Sequence, residues 1–377
     1  MVRIGIVAGE ASGDLLGSHL IQALKQRRPD LEFIGIAGPK MISQGAQSLF
    51  PIERLSVRGY LEVIKHLWGL LKLRRQLLNH FLSNPPALFI GIDAPDFNFW
   101  LEKKLKKKGI KTIHYVSPSI WAWRKNRIKK IRNAVHEVLA LFPFEPALYQ
   151  KEGIPVSYVG HPLADILPLE PDVTGAREIL KLDQSDLVIA MLPGSRQGEV
   201  QQHADLFVQT AKYIHAQQPN AVFLVPLITR ETRQIFELAI FNEPEQLPIQ
   251  LLFGHAHDAM EAANVVIVAS GTATLEAALL KKPMVITYRM SKLSWQLLKR
   301  MRLQPYVGLP NILANKFVVP ELLQDDATPE KLAEAALAML KDKDKLADIE
   351  KEFTAMHLSL RQNTAEKAAT AILAHLK

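Results

Sequence analysis

The sequence predicts an α/β protein of two domains, each a doubly wound parallel sheet covered by helices on both faces. Three observations predict it. Short apolar runs of β type alternate with helical stretches from end to end, which is the pattern of such sheets. A chain of 377 residues exceeds one ordinary hydrophobic core. The stretch from Gly160 to Pro171 is rich in proline and aperiodic, so the boundary between two sheets falls there.

In order, the strands expected in the first half are Val2–Ala8, Glu32–Ala37, Ala87–Ile92, Lys111–Val116 and Glu137–Leu141. Those of the second half are Leu187–Leu192, Ala221–Val225, Ile249–Leu252, Val265–Val268 and Met284–Thr287. Each is short, rich in Val, Ile and Leu, and bounded by turn residues. A helix is expected over 291–302, followed by a loop from Leu309 to Asn315. Alanine and leucine at helical spacing mark the end of the chain as consecutive amphipathic helices. The domains expected are 1–165, 166–345 and a helical tail, 346–377. Two sheets facing each other form a cleft at the carboxyl ends of their strands, where ligands of such sheets bind.

Composition narrows the class. A hydrophobic content of 48% with 22% charged residues describes a folded chain. Cysteine is absent, which excludes disulfides and thiolate metal sites. Met1-Val-Arg-Ile-Gly-Ile-Val-Ala8 runs straight into a strand and lacks the parts of a signal peptide. No apolar run approaches the ~20 residues needed to span a bilayer. A net charge of +8 points to anionic partners. Nucleic acid is disfavoured, because single-strand binding needs aromatic platforms and only 7% of the residues are aromatic.

Two glycine turns carry the strongest chemistry, Leu192-Pro-Gly-Ser-Arg-Gln-Gly-Glu199 and Ser270-Gly-Thr-Ala-Thr-Leu-Glu276. Each follows an apolar strand and opens a helix, the geometry that aims backbone N–H groups at a phosphate. Gly194 permits close approach, Ser195 offers a hydroxyl, and Arg196 offers a cationic fork. Gly271 and Thr272 open the second helix, and Glu276 lies one turn in, where a carboxylate can take ribose hydroxyls. Together they propose a site for a nucleoside diphosphate.

The first strand is followed by Ala8-Gly-Glu-Ala-Ser-Gly-Asp-Leu-Leu-Gly17. Glu10 and Asp14 would put carboxylates where a pyrophosphate should sit, so this is not a dinucleotide fingerprint. Glu10, Ser12 and Asp14 suit sugar hydroxyls; a helix cap is the plainer alternative. In Gly91-Ile-Asp-Ala-Pro-Asp-Phe-Asn98, Asp93 ends a strand and is a candidate general base, while Asp96 is an acceptor-side candidate that also reads as an ordinary helix N-terminal residue. Ser117 follows another strand in Tyr115-Val-Ser-Pro-Ser-Ile-Trp-Ala-Trp-Arg124 and is expected to line the acceptor side of the cleft, with Trp121 and Trp123 as apolar surface or core. His255, His257 and Asp258 form a weak metal pattern and read better as a wall beside the base, with Asp258 capping a helix. Asn311 is the polar group expected to face the cleft from the Leu309–Asn315 loop.

The stretch from Gly59 to Leu82 is basic and unusually apolar, with Leu67, Trp68, Leu70, Leu71 and Leu73 among Lys65, Lys72, Arg74 and Arg75. Two more basic runs follow, Lys103–Lys108 and Arg124–Arg132. Aromatic, leucine and basic residues on one helix suit a membrane interface, and anionic lipid attracts each basic charge by about 1 kcal/mol. A core helix with a wide apolar stripe is the alternative.

Taken together, Val7–Asp14, Gly91–Asn98, His114–Trp123, Leu192–Arg196, Ser270–Glu276 and Leu309–Leu313 resemble the bacterial lipid-A-disaccharide synthase family over essentially the whole chain. The resemblance implies a GT-B fold, two Rossmann-like domains facing a cleft, with C-terminal helices packing back on the first. It implies an inverting transfer from UDP-2,3-diacylglucosamine to 2,3-diacylglucosamine 1-phosphate at the cytoplasmic face of the Gram-negative inner membrane. Asp93 would deprotonate the acceptor 6-hydroxyl. Gly194, Ser195 and Arg196 would hold the diphosphate, Glu276 the ribose, and Asn311 would line the donor site. No cofactor or metal is implied, since Arg196 and the helix amides would stabilise the departing UDP. A UDP-sugar epimerase and a non-catalytic basic module remain as alternatives. No oligomeric state follows from the residues.

Overall fold

The structure is a computed structural model that describes residues 1–55, 60–123, 127–291, 295–296 and 303–376, the side chains of 60–67, 122 and 123 excepted. The chain divides into two compact units, Met1–Asp165 with Leu360–Lys377, and Ile166–Ser359.

The first unit runs β1 (Val2–Ala8), α1 (Ala11–Arg27), β2 (Leu31–Ile36), α2 (Pro39–Ser43), β3 (Ala46–Ser48), α3 (Tyr60–Ser83), β4 (Leu88–Ile92) and α4 (Pro95–Lys106). It continues through β5 (Lys111–Tyr115), α5 (Ile120–Trp123), α6 (Ile128–Ala134), β6 (Glu137–Ala140), α7 (Glu145–Gln150), β7 (Val156–Tyr158) and α8 (Pro162–Ile166). Its sheet has the order β3-β2-β1-β4-β5-β6-β7, with every pairing parallel. Central strands are buried on both faces, as parallel sheets require: Ile4, Ile6, Phe89 and Ile90 are fully inaccessible. Each such side chain contributes about 1.5–3 kcal/mol of burial.

The second unit runs α9 (Val173–Ile179), β8 (Leu187–Leu192), α10 (Gln197–Gln217), β9 (Ala221–Leu227), α11 (Arg230–Phe241), β10 (Ile249–Phe253), α12 (Ala256–Ala262) and β11 (Val265–Ala269). There follow α13 (Thr272–Leu279), β12 (Met284–Tyr288), α14 (Leu309–Ala314), β13 (Glu321–Leu323), α15 (Pro329–Lys341) and α16 (Lys343–Leu360). The strand order is β10-β9-β8-β11-β12-β13, again all parallel.

The last helix, α17 (Thr364–Ala374), returns to the first unit. Its Ala368, Ala369 and Ile372 enter that unit's core. Both Asp165 oxygens accept from its start, from Asn363 N at 2.9 Å and Thr364 N at 2.7 Å. Arg27 on α1 donates to Thr370 at 2.7 Å and pairs with Glu366.

Two expectations are revised. The segment from Leu309 is helix α14 rather than a loop, with Pro310 in its first turn, where a missing N–H costs nothing. Three strands, β3, β7 and β13, were not anticipated; each is three residues long and pairs at the sheet periphery. Most of the helix expected over 291–302 lies outside the described residues.

Candidate functional site

In each sheet the strand order reverses once, between β1 and β4 in the first unit and between β8 and β11 in the second. Ligands of doubly wound sheets bind outside the carboxyl ends of the strands at that point. The loops leaving these four strands hold Gly9–Glu10, Asp93–Ala94, Pro193–Arg196 and Ser270–Gly271. Four of the motifs singled out by residue type therefore stand at the two switch points.

In the second unit Gly194 has φ +119°, a conformation that L side chains rarely adopt. Ser195 and Arg196 are exposed ahead of α10, and the Arg196 side chain is 70% accessible. The amides expected to face a phosphate already have an anionic partner. Ser195 N and Arg196 N donate to Glu199 Oε2 at 3.2 and 3.3 Å, and Arg196 Nη1 lies 3.5 Å from Glu199 Oε1. Glu199 thus supplies the third-position carboxylate half of a capping box at the start of α10, the Arg196 side chain having no acceptor to complete it.

Gly271 and Thr272 are exposed at the start of α13, and Glu276 is partly so. His257 Nε2 lies 3.5 Å from Glu276 Oε2, and that hydrogen bond, opposed by burial, raises the His257 pKa. His255 pairs with Asp258 at 2.7 Å, so Asp258 joins a side-chain pair instead of capping α12, whose N-cap residue is His255. Among the described residues, no cluster of three or more His, Cys, Asp or Glu could hold a metal.

In the first unit Asp93 and Ala94 both adopt left-handed φ, +50° and +43°, between the end of β4 and Pro95. Successive non-glycine residues in this region are uncommon, and backbone strain concentrates at functional sites. Val116, at the end of β5, has φ +81°, which is rarer still for a β-branched residue. Asp93 N donates to Tyr115 O at 2.9 Å, tying the two strained turns together. The Asp93 side chain is partly exposed. Glu10 and Ser12 are exposed at the start of α1.

Other expected site residues have protein partners. Asp14 is buried and accepts from Lys40 N and Met41 N, both at 2.9 Å. Its carboxylate caps α2 and is not presented to a sugar. Asn311 is fully buried. Its Oδ1 accepts from Val318 N and Val319 N, and its Nδ2 donates to Val319 O and Glu321. It fastens α14 to β13 and has no amide group left for a donor. Ser117 turns inward to Tyr149 Oη at 2.7 Å. Beside it Trp121 is core and donates to Glu145, whose carboxyl burial pushes up to about 7. Asp96 forks onto Arg127 at 2.7 and 2.9 Å.

On α3, Trp68 is 82% exposed, flanked by exposed Lys72 and Arg75 and half-buried Leu70 and Leu71. Leu73 belongs to the core with Leu77 and Phe81. Arg74 stacks on Trp100 at 4.2 Å. The Leu67 and Trp123 side chains, and Arg124–Asn126, lie outside what is described. Among the described residues no helix is long and apolar enough to cross a membrane.

Glu199 and His203 were not singled out as contributors from sequence, and for His257, read as part of a wall beside the base, the pairing with Glu276 was not foreseen. The third helical position of Glu199 was the available signal. Buried His203 lies one turn on; its Nδ1 donates to Glu199 O at 2.8 Å and its Nε2 accepts from Arg289 N at 2.9 Å. These bonds fix the neutral tautomer, in keeping with burial lowering its pKa.

A family model described as lipid-A-disaccharide synthetase matches residues 4–375. A lipid-A-disaccharide synthase of Methylobacillus flagellatus is 68% identical over 378 residues, covering all of both chains. One of Dechloromonas aromatica is 60% identical, covering 99% of this chain and 98% of its own. Among solved structures, the UDP-GlcNAc 2-epimerase of Neisseria meningitidis bound to UDP-GlcNAc superposes with a TM-score of 0.65 at 12% identity, over 100% of this chain and 99% of its own. The calicheamicin glycosyltransferase CalG4 gives 0.60 at 14%, over 100% and 98%. At these identities the likeness concerns the fold, which is GT-B.

Proposed function

Because the chain belongs to the lipid-A-disaccharide synthetase family, we propose that it joins UDP-2,3-diacylglucosamine to 2,3-diacylglucosamine 1-phosphate. The products are the β-1,6-linked disaccharide 1-phosphate and UDP. The observation that carries this reading is the gathering of its chemistry-bearing residues at the switch points of both sheets.

In this reading the first unit takes the acceptor and the second takes the donor. Gly194, Ser195 and Arg196 hold the diphosphate with N–H groups and a guanidinium. Gly271 and Thr272 present the α13 N-terminus, and Glu276 takes the ribose. Asp93 accepts the proton of the acceptor 6-hydroxyl as its oxygen attacks the anomeric carbon. The bond from that carbon to the UDP oxygen breaks, the configuration inverts, and the charge on UDP is met by Arg196. Glu10 and Ser12 are free to meet acceptor hydroxyls.

The same reading places the protein peripherally on the cytoplasmic face of the inner membrane, where its acylated substrates reside. Its support is exposed Trp68 beside Lys72 and Arg75, with Lys103, Lys104, Lys107, Lys108, Lys129 and Lys130 also exposed. An aromatic anchor with basic residues supplies the two signals that stable surface binding needs.

The test is UDP release from UDP-2,3-diacylglucosamine in detergent, with and without the acceptor, and with EDTA. Release that depends on acceptor and survives EDTA is the expected result. Release without acceptor, or epimerised donor, would overturn the transfer.

A further inference from the structure

The turn that carries Asp93 is held from beneath by a polar cluster that the transfer chemistry does not use. Asn98 is fully buried on α4. Its Nδ2 donates to Asp93 O at 2.8 Å and reaches Ile92 O at 3.4 Å and Val7 O at 3.5 Å. It thus ties the ends of β1 and β4 to the two left-handed residues. Below it Glu102 Oε1 meets His114 Nδ1 at 2.8 Å, with both side chains inaccessible. The three residues converge on Gly91, which pairs with His114 across β4 and β5. A Cβ at Gly91 would lie 2.3 Å from Glu102 Oε1 and 3.0 Å from Asn98 Cβ and Cγ. The Phe99 ring covers His114 at 4.4 Å between centroids.

Stability gives little reason for such a cluster. Asn98 Oδ1, Glu102 Oε2 and His114 Nε2 are buried without a partner among the described residues. Burial pushes the Glu102 carboxyl above its ordinary range, against the pull of His114. Apolar side chains of similar volume would serve a core as well or better. What they could not do is donate to the Asp93 carbonyl and hold a conformation that non-glycine residues resist.

We propose that Asn98, which borders Gly91 together with Glu102 of the Glu102–His114 pair, is the positioning residue that fixes the Asp93 turn and so aims its carboxylate at the acceptor hydroxyl. This rests on Asp93 being the base. Asn98→Ala and Asn98→Leu remove the donor, the second with nearly unchanged volume. Each should lower kcat by about 100-fold, the cost of a small misplacement of a catalytic group. The KM for acceptor and the UDP affinity should stay within about twofold.

The decisive readout is a double-mutant cycle with Asp93→Asn. Once the carboxylate is gone, removing Asn98 should cost less than about twofold more. Equal losses in both backgrounds would make Asn98 a structural residue only, and wild-type kcat in a folded Asn98→Leu protein would overturn the proposal outright. If Asp93→Asn itself turns over normally, the base assignment has failed instead. Should both Asn98 variants lose their thermal transition, Glu102 decides. Glu102→Gln keeps the bond to His114 and Glu102→Leu does not, so the leucine variant should lose at least about tenfold more kcat than the glutamine variant, with KM unchanged. Equal kcat for the two would refute the inference.

Discussion

Replacing Glu199 by glutamine should make the protein bind UDP more tightly. Glu199 Oε2 occupies the Ser195 and Arg196 amides at 3.2 and 3.3 Å, the groups proposed for the donor diphosphate. A diphosphate must displace that carboxylate or share the turn with it. Two unit charges about 4 Å apart repel by ~4 kcal/mol at an effective dielectric of about 20, and by ~1 kcal/mol in water. The Glu199 side chain is 19% accessible but lies beside the solvent-facing Arg196, 70% accessible, so a value between these limits applies, roughly 1–2 kcal/mol. Glutamine keeps an acceptor oxygen for the amides but loses the charge, and the long bonds it weakens are worth about 0.5 kcal/mol. The net gain is about 1 kcal/mol, five- to tenfold in Kd. Calorimetric titration with UDP measures it, and uridine is the control, because a nucleoside has no phosphate to be repelled. The reasoning fails if UDP affinity is unchanged, or if uridine gains as much as UDP. Weaker UDP binding would mean that the Glu199 carboxylate supports the cradle.

Asp14→Ala should lower unfolding stability by about 3 kcal/mol, since it removes two charge-assisted bonds and the cap of α2; Glu10→Ala and Ser12→Ala, at exposed positions, should stay within about 0.5 kcal/mol and raise the acceptor KM instead. A destabilised Glu10 variant beside a stable Asp14 variant in thermal melts would reverse these assignments. The His257–Glu276 pair raises the His257 pKa above the ordinary 6.5. Its stabilisation is therefore fully present below pH 6.5 and is lost as pH rises through the folded value. The gap between wild type and His257→Gln in chemical denaturation should close as pH rises, and a gap that widens towards alkaline pH would contradict the pairing. Trp68→Ser should release the protein from anionic vesicles in a flotation assay without lowering its melting temperature, because the ring is 82% exposed; a lost transition would show that Trp68 is packed.

The central strands were legible because a strand buried on both faces must be apolar along its length, and Leu187–Leu192 and Val265–Ala269 are. The peripheral strands were not. Ala46–Ser48 and Glu321–Leu323 are three residues each with mixed polarity, and their pairing is set by neighbours that a local pattern does not contain. The same division runs through the site. The turn at Gly194, with its positive φ, and the exposed cation of Arg196 were readable because those residue types have few other uses there, and their part in binding a diphosphate is proposed. Asp14 and Asn311 have the residue types of a site, yet their polar atoms satisfy backbone groups outside their own motifs, at Lys40 and Val318 for instance. A buried carboxylate or amide must find such partners, and sequence does not say whether the partner is a ligand or a main chain 26 residues away. Asp93, the proposed base, shows the opposite pattern. Its left-handed φ, and the buried amide of Asn98 beneath it, are costs that a purely structural turn could have avoided by placing glycine there.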